Sequence, residues 1–121
     1  MERIVLVAGN GILFRVEVAT TRRERVRGLL PYERLASGHA LLIPNARAVH
    51  TVGMAFPIDV AFLDQEMRVI ALRAMRPGRI GRPRLRARYV LECNAGEGPA
   101  VGDRLVPVAA VRRSPRARSC R

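Results

Sequence analysis

The stretch IDVAFLDQEMRVIALRA, residues 58–74, decides the fold class of this chain. In its first half Ile58, Val60 and Phe62 project to one side and the residues between them to the other, which is the period of two of a β-strand. Residues 64–66 have the composition of a turn, and a second apolar run follows them. The stretch therefore predicts a β-hairpin.

The rest of the chain repeats this pattern. An apolar run over residues 4–8 ends at the turn Gly9-Asn10-Gly11, and alternation resumes over residues 12–19. Further short runs, at residues 40–43, 47–52, 86–93 and 104–111, predict more strands, and Pro107 inside the last run indicates an edge or a bulge. About eight short strands joined by turns predict a β-rich (α+β) domain, a small, mostly antiparallel barrel or sandwich with one or two short helices.

One clear helix signal stands between the predicted strands. Thr21 followed three residues later by Glu24 matches a capping box, in which each side chain bonds the other's backbone amide. The helix is expected to run to about Leu30, where Pro31 ends it. The spacing of Val26, Leu29 and Leu30 predicts that these three residues pack on one face.

The charge of the chain is strongly positive and uneven. The net charge is +12, and all 22 basic residues are arginine. Residues 67–91 and 112–121 contain 13 of these arginines and no acid, so the remainder is nearly neutral. A basic segment can bind nucleic acid or an anionic surface. A bacterial-like composition from GC-rich coding also gives arginine without lysine, and no nucleic-acid-binding motif accompanies the charge.

The length of the chain and the composition of its two ends indicate the domain organisation and the compartment. The 121 residues fit one domain, expected over residues 1–111, with a basic disordered tail over residues 112–121. The first apolar run is too short for a signal peptide, and no run is long enough to span a bilayer, so we expect a cytoplasmic monomer. Cys93 is expected to be a buried apolar residue rather than a nucleophile or a disulfide partner of Cys120.

Three blocks of sequence carry a family resemblance. Residues 50–64, HTVGMAFPIDVAFLD, resemble the central signature of the domain of unknown function 192 family. Residues 14–30 resemble its opening strand and helix, and residues 89–105 resemble its closing part. The resemblance implies a compact, β-rich, stand-alone domain of unassigned biochemical role. Ala55, Val52 and a short segment between Gly96 and Gly102 depart from the family's pattern.

The candidate binding residues are Met54 and the polar residues that stand outside the arginine-rich segments, in the signature and in the closing block. They are His50, Thr51, Met54, Asp59, Glu92 and Asn94. If residues 47–52 and 58–63 paired as a hairpin, His50 and Asp59 could come close enough for general acid–base chemistry. A structural hydrogen-bonded pair that closes the turn is the alternative interpretation. Ligand spacings for a metal and a phosphate-binding loop are both missing from the sequence, so no cofactor or metal is expected.

Three functions follow from these residues. We expect first a non-catalytic binding or accessory domain that recognises a small ligand, a peptide or a partner protein around the His50–Asp59 turn. The alternatives are an acid–base enzyme that uses His50 and Asp59, and weak binding of nucleic acid or an anionic surface. In the last alternative the binding residues are those of the tail together with the arginines of the basic loop, which are Arg76, Arg79, Arg82, Arg84, Arg86 and Arg88.

Overall fold

A computed structural model describes residues 1–108, and these form one curled sheet of seven strands. The strands are β1 (Glu2–Val7), β2 (Leu13–Val18), β3 (His39–Pro44), β4 (Ile58–Leu63), β5 (Val69–Met75), β6 (Tyr89–Asn94) and β7 (Val106–Pro107). Their order in the sheet is β5-β4-β6-β3-β2-β1-β7, and every pair is antiparallel except β2–β3. The prediction of a small, mostly antiparallel, β-rich domain is confirmed.

The sheet curls so far that its two ends approach each other. Arg68, just before β5, bridges to Arg104, just before β7. The amide of Leu105 also donates to the carbonyl of Met67 at 2.9 Å. The enclosed face carries the barrel-side core, whose members include Leu6, Phe14, Val16, Leu42, Ala61, Leu63, Leu91, Cys93 and Leu105.

The other face of β3, β4 and β6 carries a second apolar layer, which we call the helix-side core. It contains Leu29, Leu41, Ile43, Val49, Met54, Phe56, Ile58, Val60, Phe62, Met75 and Val90, among others. The alternation predicted for residues 58–63 is confirmed, because Ile58, Val60 and Phe62 face this core while Ala61 and Leu63 face the barrel-side core. Burial on both faces explains why β4 is apolar throughout except at Asp59.

The single helix described, α1 (Arg22–Arg27), is shorter than predicted. The capping box of Thr21 and Glu24 is confirmed, but the helix ends at Gly28 rather than Leu30. Leu29 is buried, whereas Val26 is 70% exposed and Leu30 is 38% exposed. The predicted apolar face is therefore wrong, because the chain leaves the helix before Leu29 and Leu30 can continue its face.

The expected strand over residues 47–52 is also wrong. This segment lies along the basic loop instead of pairing with β4. The amide of Gly81 donates to the carbonyl of Val49 at 2.8 Å, and that of Thr51 donates to the carbonyl of Arg79 at 2.7 Å. We call this pair of segments, residues 47–51 and 79–84, the loop ribbon. β4 has its two edges occupied by β5 and β6, so no edge is free for residues 47–52.

The last strand is shorter than predicted. β7 has only two residues, and it pairs with β1 at one edge of the sheet, as Pro107 indicates. Arg104, Leu105 and Val108, which the prediction included in this strand, lie outside it. Residues 109–111, the tail over residues 112–121 and Cys120 lie outside the described residues. No helix within residues 1–108 is both long and apolar enough to cross a membrane.

Candidate functional site

Glu92 is the one acidic side chain that β6 directs into the helix-side core. Its strand neighbours are Leu41 on β3 and Val60 on β4, both members of that core. Leu91 and Cys93 on either side face the barrel-side core, which places Glu92 on the opposite face. A carboxyl group therefore stands at the centre of an apolar layer.

The Glu92 side chain is buried, and its carboxyl has no partner among the described residues. It is 4% exposed, and among residues 1–108 no side-chain hydrogen bond or ion pair involves it. Desolvation by burial raises its pKa from 4.5 to about 7. Among residues 1–108 the one fully enclosed side-chain polar atom without a hydrogen-bond partner is Arg84 Nε, so the Glu92 carboxyl keeps some solvent contact at the pocket it lines, where a ligand can reach it.

A pocket of about 330 Å³ opens beside Glu92 on the helix-side face. Its walls include the apolar side chains of Leu29, Ile43, Val49 and Met54. Besides Glu92, the polar side chains of the lining are Asn45, His50 and three arginines of α1, which are Arg22, Arg25 and Arg27. The pocket thus combines an apolar body, a buried acid and a basic rim, the composition of a site for a small ligand.

His50 and Met54 line this pocket from the segment that connects β3 and β4. His50 is exposed and bridges to Ile80 through its backbone, while Met54 is buried. The turn between them requires Gly53, whose φ is +87° and whose missing Cβ would stand 3.3 Å from Leu30 Cδ2. Thr51 is fully buried below the turn, where its hydroxyl oxygen accepts from the amide of Arg79 at 2.9 Å. Thr51 therefore holds the segment rather than lining the pocket.

Asp59 lies on the opposite face of the sheet from the pocket. It pairs with Cys93 in β6, and its Oδ2 accepts from the amides of Gly96 and Gly98, each at 3.0 Å. A Cβ on Gly98 would stand 2.9 Å from that oxygen, so glycine permits the approach. The structure thus does not bring Asp59 to His50, and the acid–base pair that the expected hairpin would have produced does not form.

The other two β6 residues considered in the sequence analysis, Asn94 and Cys93, have structural roles. Asn94 donates from Nδ2 to the carbonyl of Leu35 at 2.7 Å and fixes the loop that follows α1. Cys93 is fully buried, as predicted, and burial together with the nearby Asp59 raises the pKa of its thiol to about 12. Its thiol is therefore protonated at neutral pH and is a poor nucleophile.

The six candidate arginines of the basic loop divide into two groups. Four of them, Arg76, Arg79, Arg82 and Arg84, line a groove with Arg73 of β5. Arg86 and Arg88 lie at a separate depression that also contains Asp64 and Glu66. The loop is therefore not one uniform basic surface.

Reasoning from the sequence identified three of the pocket residues: His50, Met54 and Glu92. It missed the arginines of α1, because a capping box indicates where a helix begins but not what the helix faces. It also missed Val49 and Ile43 as pocket walls, since both are typical core residues by composition. The sequence signal that pointed to this pocket was Glu92 itself, an acid within an apolar alternating run.

Comparison with known proteins identifies relatives of uncharacterised role. A protein of Thermococcus sibiricus named UPF0127 protein is 31% identical over 86 residues, covering 68% of this chain and 56% of the relative. A UPF0127 protein of Pyrococcus horikoshii is 37% identical over 62 residues, covering 48% of this chain and 54% of the relative. The chain thus matches little more than half the length of these relatives.

Two crystal structures share the fold. A protein of Sinorhizobium meliloti, provisionally described as a transcription regulator, is similar with a TM-score of 0.73 and 26% identity, covering 88% of this chain and 93% of that one. A protein of unknown function from Novosphingobium aromaticivorans has a TM-score of 0.71 and 22% identity, covering 86% and 83%. The model of the family DUF192, described as uncharacterised, matches residues 4–105, and the chain therefore belongs to the DUF192 family.

Proposed function

We propose that this protein is a small, non-catalytic binding domain that recognises a small ligand in the pocket beside Glu92. The observation that carries the proposal is the buried Glu92 carboxyl, which has no partner among residues 1–108 and lies against that pocket. A ligand that donates a hydrogen bond or carries an ammonium group would supply the missing partner.

The charges around the pocket define the ligand further. Arg22, Arg25 and Arg27 at the rim repel a simple cation and attract an anionic group. The apolar walls between the rim and Glu92 suit an aliphatic body. The ligand that fits all three regions has a donor or ammonium group at the buried end, an apolar middle and an anionic group at the mouth. A peptide fits this description if its amino terminus is inserted and an acidic side chain follows at the mouth.

The contacts of the other candidate residues support binding rather than catalysis. His50 lines the pocket, but Asp59 is on the opposite face and is held by two glycine amides. Cys93, the remaining candidate for a nucleophile among the described residues, is buried with a protonated thiol. An acid–base enzyme that uses His50 and Asp59 therefore lacks the geometry it requires.

The test is a thermal-shift series with probes of matched length. We would compare ω-amino carboxylates of increasing chain length with the alkylamines and alkanoates of the same lengths. The proposal expects an ω-amino carboxylate to stabilise the protein more than either matched probe, and Glu92→Gln and His50→Ala to abolish the shift. His39→Ala is the matched control, because His39 is exposed on β3 and does not line this pocket.

Two outcomes would contradict the proposal. One is that no ω-amino carboxylate raises the melting temperature of the wild-type protein. The other is a shift of equal size in Glu92→Gln and in the wild-type protein, which would locate the binding elsewhere. Circular dichroism of each variant establishes that the fold is intact before binding is compared.

A further inference from the structure

A groove of about 460 Å³ lies apart from the Glu92 pocket and is lined by five arginines. Arg73 lies on β5 and Arg76 directly follows it, while Arg79, Arg82 and Arg84 belong to the loop ribbon. None of the described residues that line the groove is acidic. The two ion pairs found in residues 1–108, Met1–Glu24 and Arg3–Glu17, involve none of these arginines. The five charges therefore repel one another without compensation from a protein acid.

Arg84 gives a second, independent indication that the groove accepts an anion. Its Nε is buried and has no hydrogen-bond partner among the described residues. Its guanidinium carbon lies 5.6 Å from the centroid of the Phe62 ring, which forms part of the groove's floor. The ring holds the guanidinium in place. The Nε is enclosed, so a ligand in the groove would meet the terminal N–H groups of this guanidinium, which the ring holds in position and which form no ion pair with a described acid.

The backbone of the groove is organised before any ligand binds. Thr51 joins the loop to the rest of the domain, since its carbonyl accepts from the amide of Gly78 at 2.8 Å and its amide donates to the carbonyl of Arg79 at 2.7 Å. The amide of Arg84 also donates to the carbonyl of Arg47 at 2.8 Å. Because these bonds are already made, binding in the groove orders the arginine side chains but not the loop, which lowers its entropic cost.

We propose that this groove is a binding site for a small ligand that carries a chain of phosphate groups. Several phosphates are needed to compensate five guanidinium groups, and the planar guanidinium donates two parallel bonds to one phosphate. A small ligand is favoured over a nucleic-acid strand because exposed aromatic rings, on which bases stack, do not line the groove. Arg86 and Arg88, which lie beside Asp64 and Glu66, are outside the site.

Titration calorimetry with tripolyphosphate, a nucleoside triphosphate and a short single-stranded RNA tests this proposal on the whole chain. The variant is the double substitution Arg79→Gln, Arg82→Gln, and its matched control is Arg86→Gln, Arg88→Gln, which removes the same charge from the same loop. Removing a charge-assisted hydrogen bond weakens binding by about tenfold or more. We expect at least this loss for tripolyphosphate in the variant and a change of no more than about twofold in the control.

The outcomes separate the possible ligands. Equal binding of tripolyphosphate and the triphosphate assigns the site to the phosphate chain, and tighter binding of the triphosphate adds a contact to the nucleoside; both support the proposal. It is overturned if tripolyphosphate does not bind at about 50 mM salt, where electrostatic binding is strong. Equal losses in variant and control, or RNA bound more tightly than both small probes, also overturn it, because they indicate a diffuse basic surface.

A single substitution guards against a loop that misfolds. Arg73→Gln lies on β5, so it changes the groove without altering the loop ribbon. It is expected to weaken tripolyphosphate binding by about tenfold, with an unchanged circular dichroism spectrum. Wild-type affinity for tripolyphosphate in a folded Arg73→Gln protein would exclude β5 from the site and overturn the proposed groove.

Discussion

Asp59 and Glu92 are carboxylic acids on adjacent strands that face opposite sides of the same sheet. Glu92 pairs with Val60, the residue after Asp59, so the two carboxyl groups differ by one position in register. This one-residue difference places the two carboxyl groups in different environments. Asp59 accepts hydrogen bonds from two glycine amides, whereas Glu92 is buried in an apolar layer beside the pocket and has no protein partner in residues 1–108.

The first prediction concerns the pH dependence that Glu92 contributes to stability. Its folded-state pKa, about 7, is above its ordinary value of 4.5, so between these values the folded protein holds a proton that the unfolded chain has lost. Stability from this group is complete below pH 4.5 and decreases as the pH rises to about 7. The loss amounts to about 3 kcal/mol. Glu92→Gln is expected to remove it.

Urea unfolding at several pH values measures this difference. The free energy of unfolding of Glu92→Gln, less that of the wild-type protein, should increase between pH 4.5 and about 7 and then remain constant. Taking the difference cancels the titration of the other groups. A difference that does not change over this range would show that Glu92 ionises freely in the folded protein.

The second prediction concerns Asp59. Asp59→Ala removes the acceptor for the amides of Gly96 and Gly98, and we expect the protein to lose about 2–3 kcal/mol of unfolding free energy. Asp59→Asn should cost less, since the amide oxygen can still accept. The control is Asp103→Ala, which removes one exposed hydrogen bond to Ala100 and should cost under about 1 kcal/mol. Equal small costs for Asp59→Ala and Asp103→Ala in denaturant melts would contradict a structural role for Asp59.

The third prediction concerns two of the three apolar residues that the sequence pattern placed on one helix face. Leu29 is 2% exposed and Val26 is 70% exposed. Leu29→Ala is expected to destabilise the protein by about 2–4 kcal/mol, since it leaves a cavity in the helix-side core. Val26→Ala should change stability by no more than about 0.5 kcal/mol. Thermal and urea melts of both variants measure this contrast, and similar costs would contradict the packing described.

Several local features were predictable because their causes lie within a few residues. The hairpin of β1 and β2, the capping box of Thr21 and the turn at residues 64–66 each depend on neighbouring side chains and on the turn-forming residues between them. Pro107 at a sheet edge follows from its missing amide hydrogen. The end of α1 was predicted less well, since helix termination depends on what the next residues can bury.

The sequence by itself determined most of the strands, the alternation of β4 and the family, because alternation and the motif blocks are properties of consecutive residues. Only the tertiary structure decided what residues 47–51 pair with, since β5 and β6 compete for the edges of β4. That pairing separates His50 from Asp59, brings His50 to Glu92's pocket and divides the loop arginines between two surfaces. Contacts between residues distant in the chain are set by the packing of the whole sheet, and no local pattern contains them.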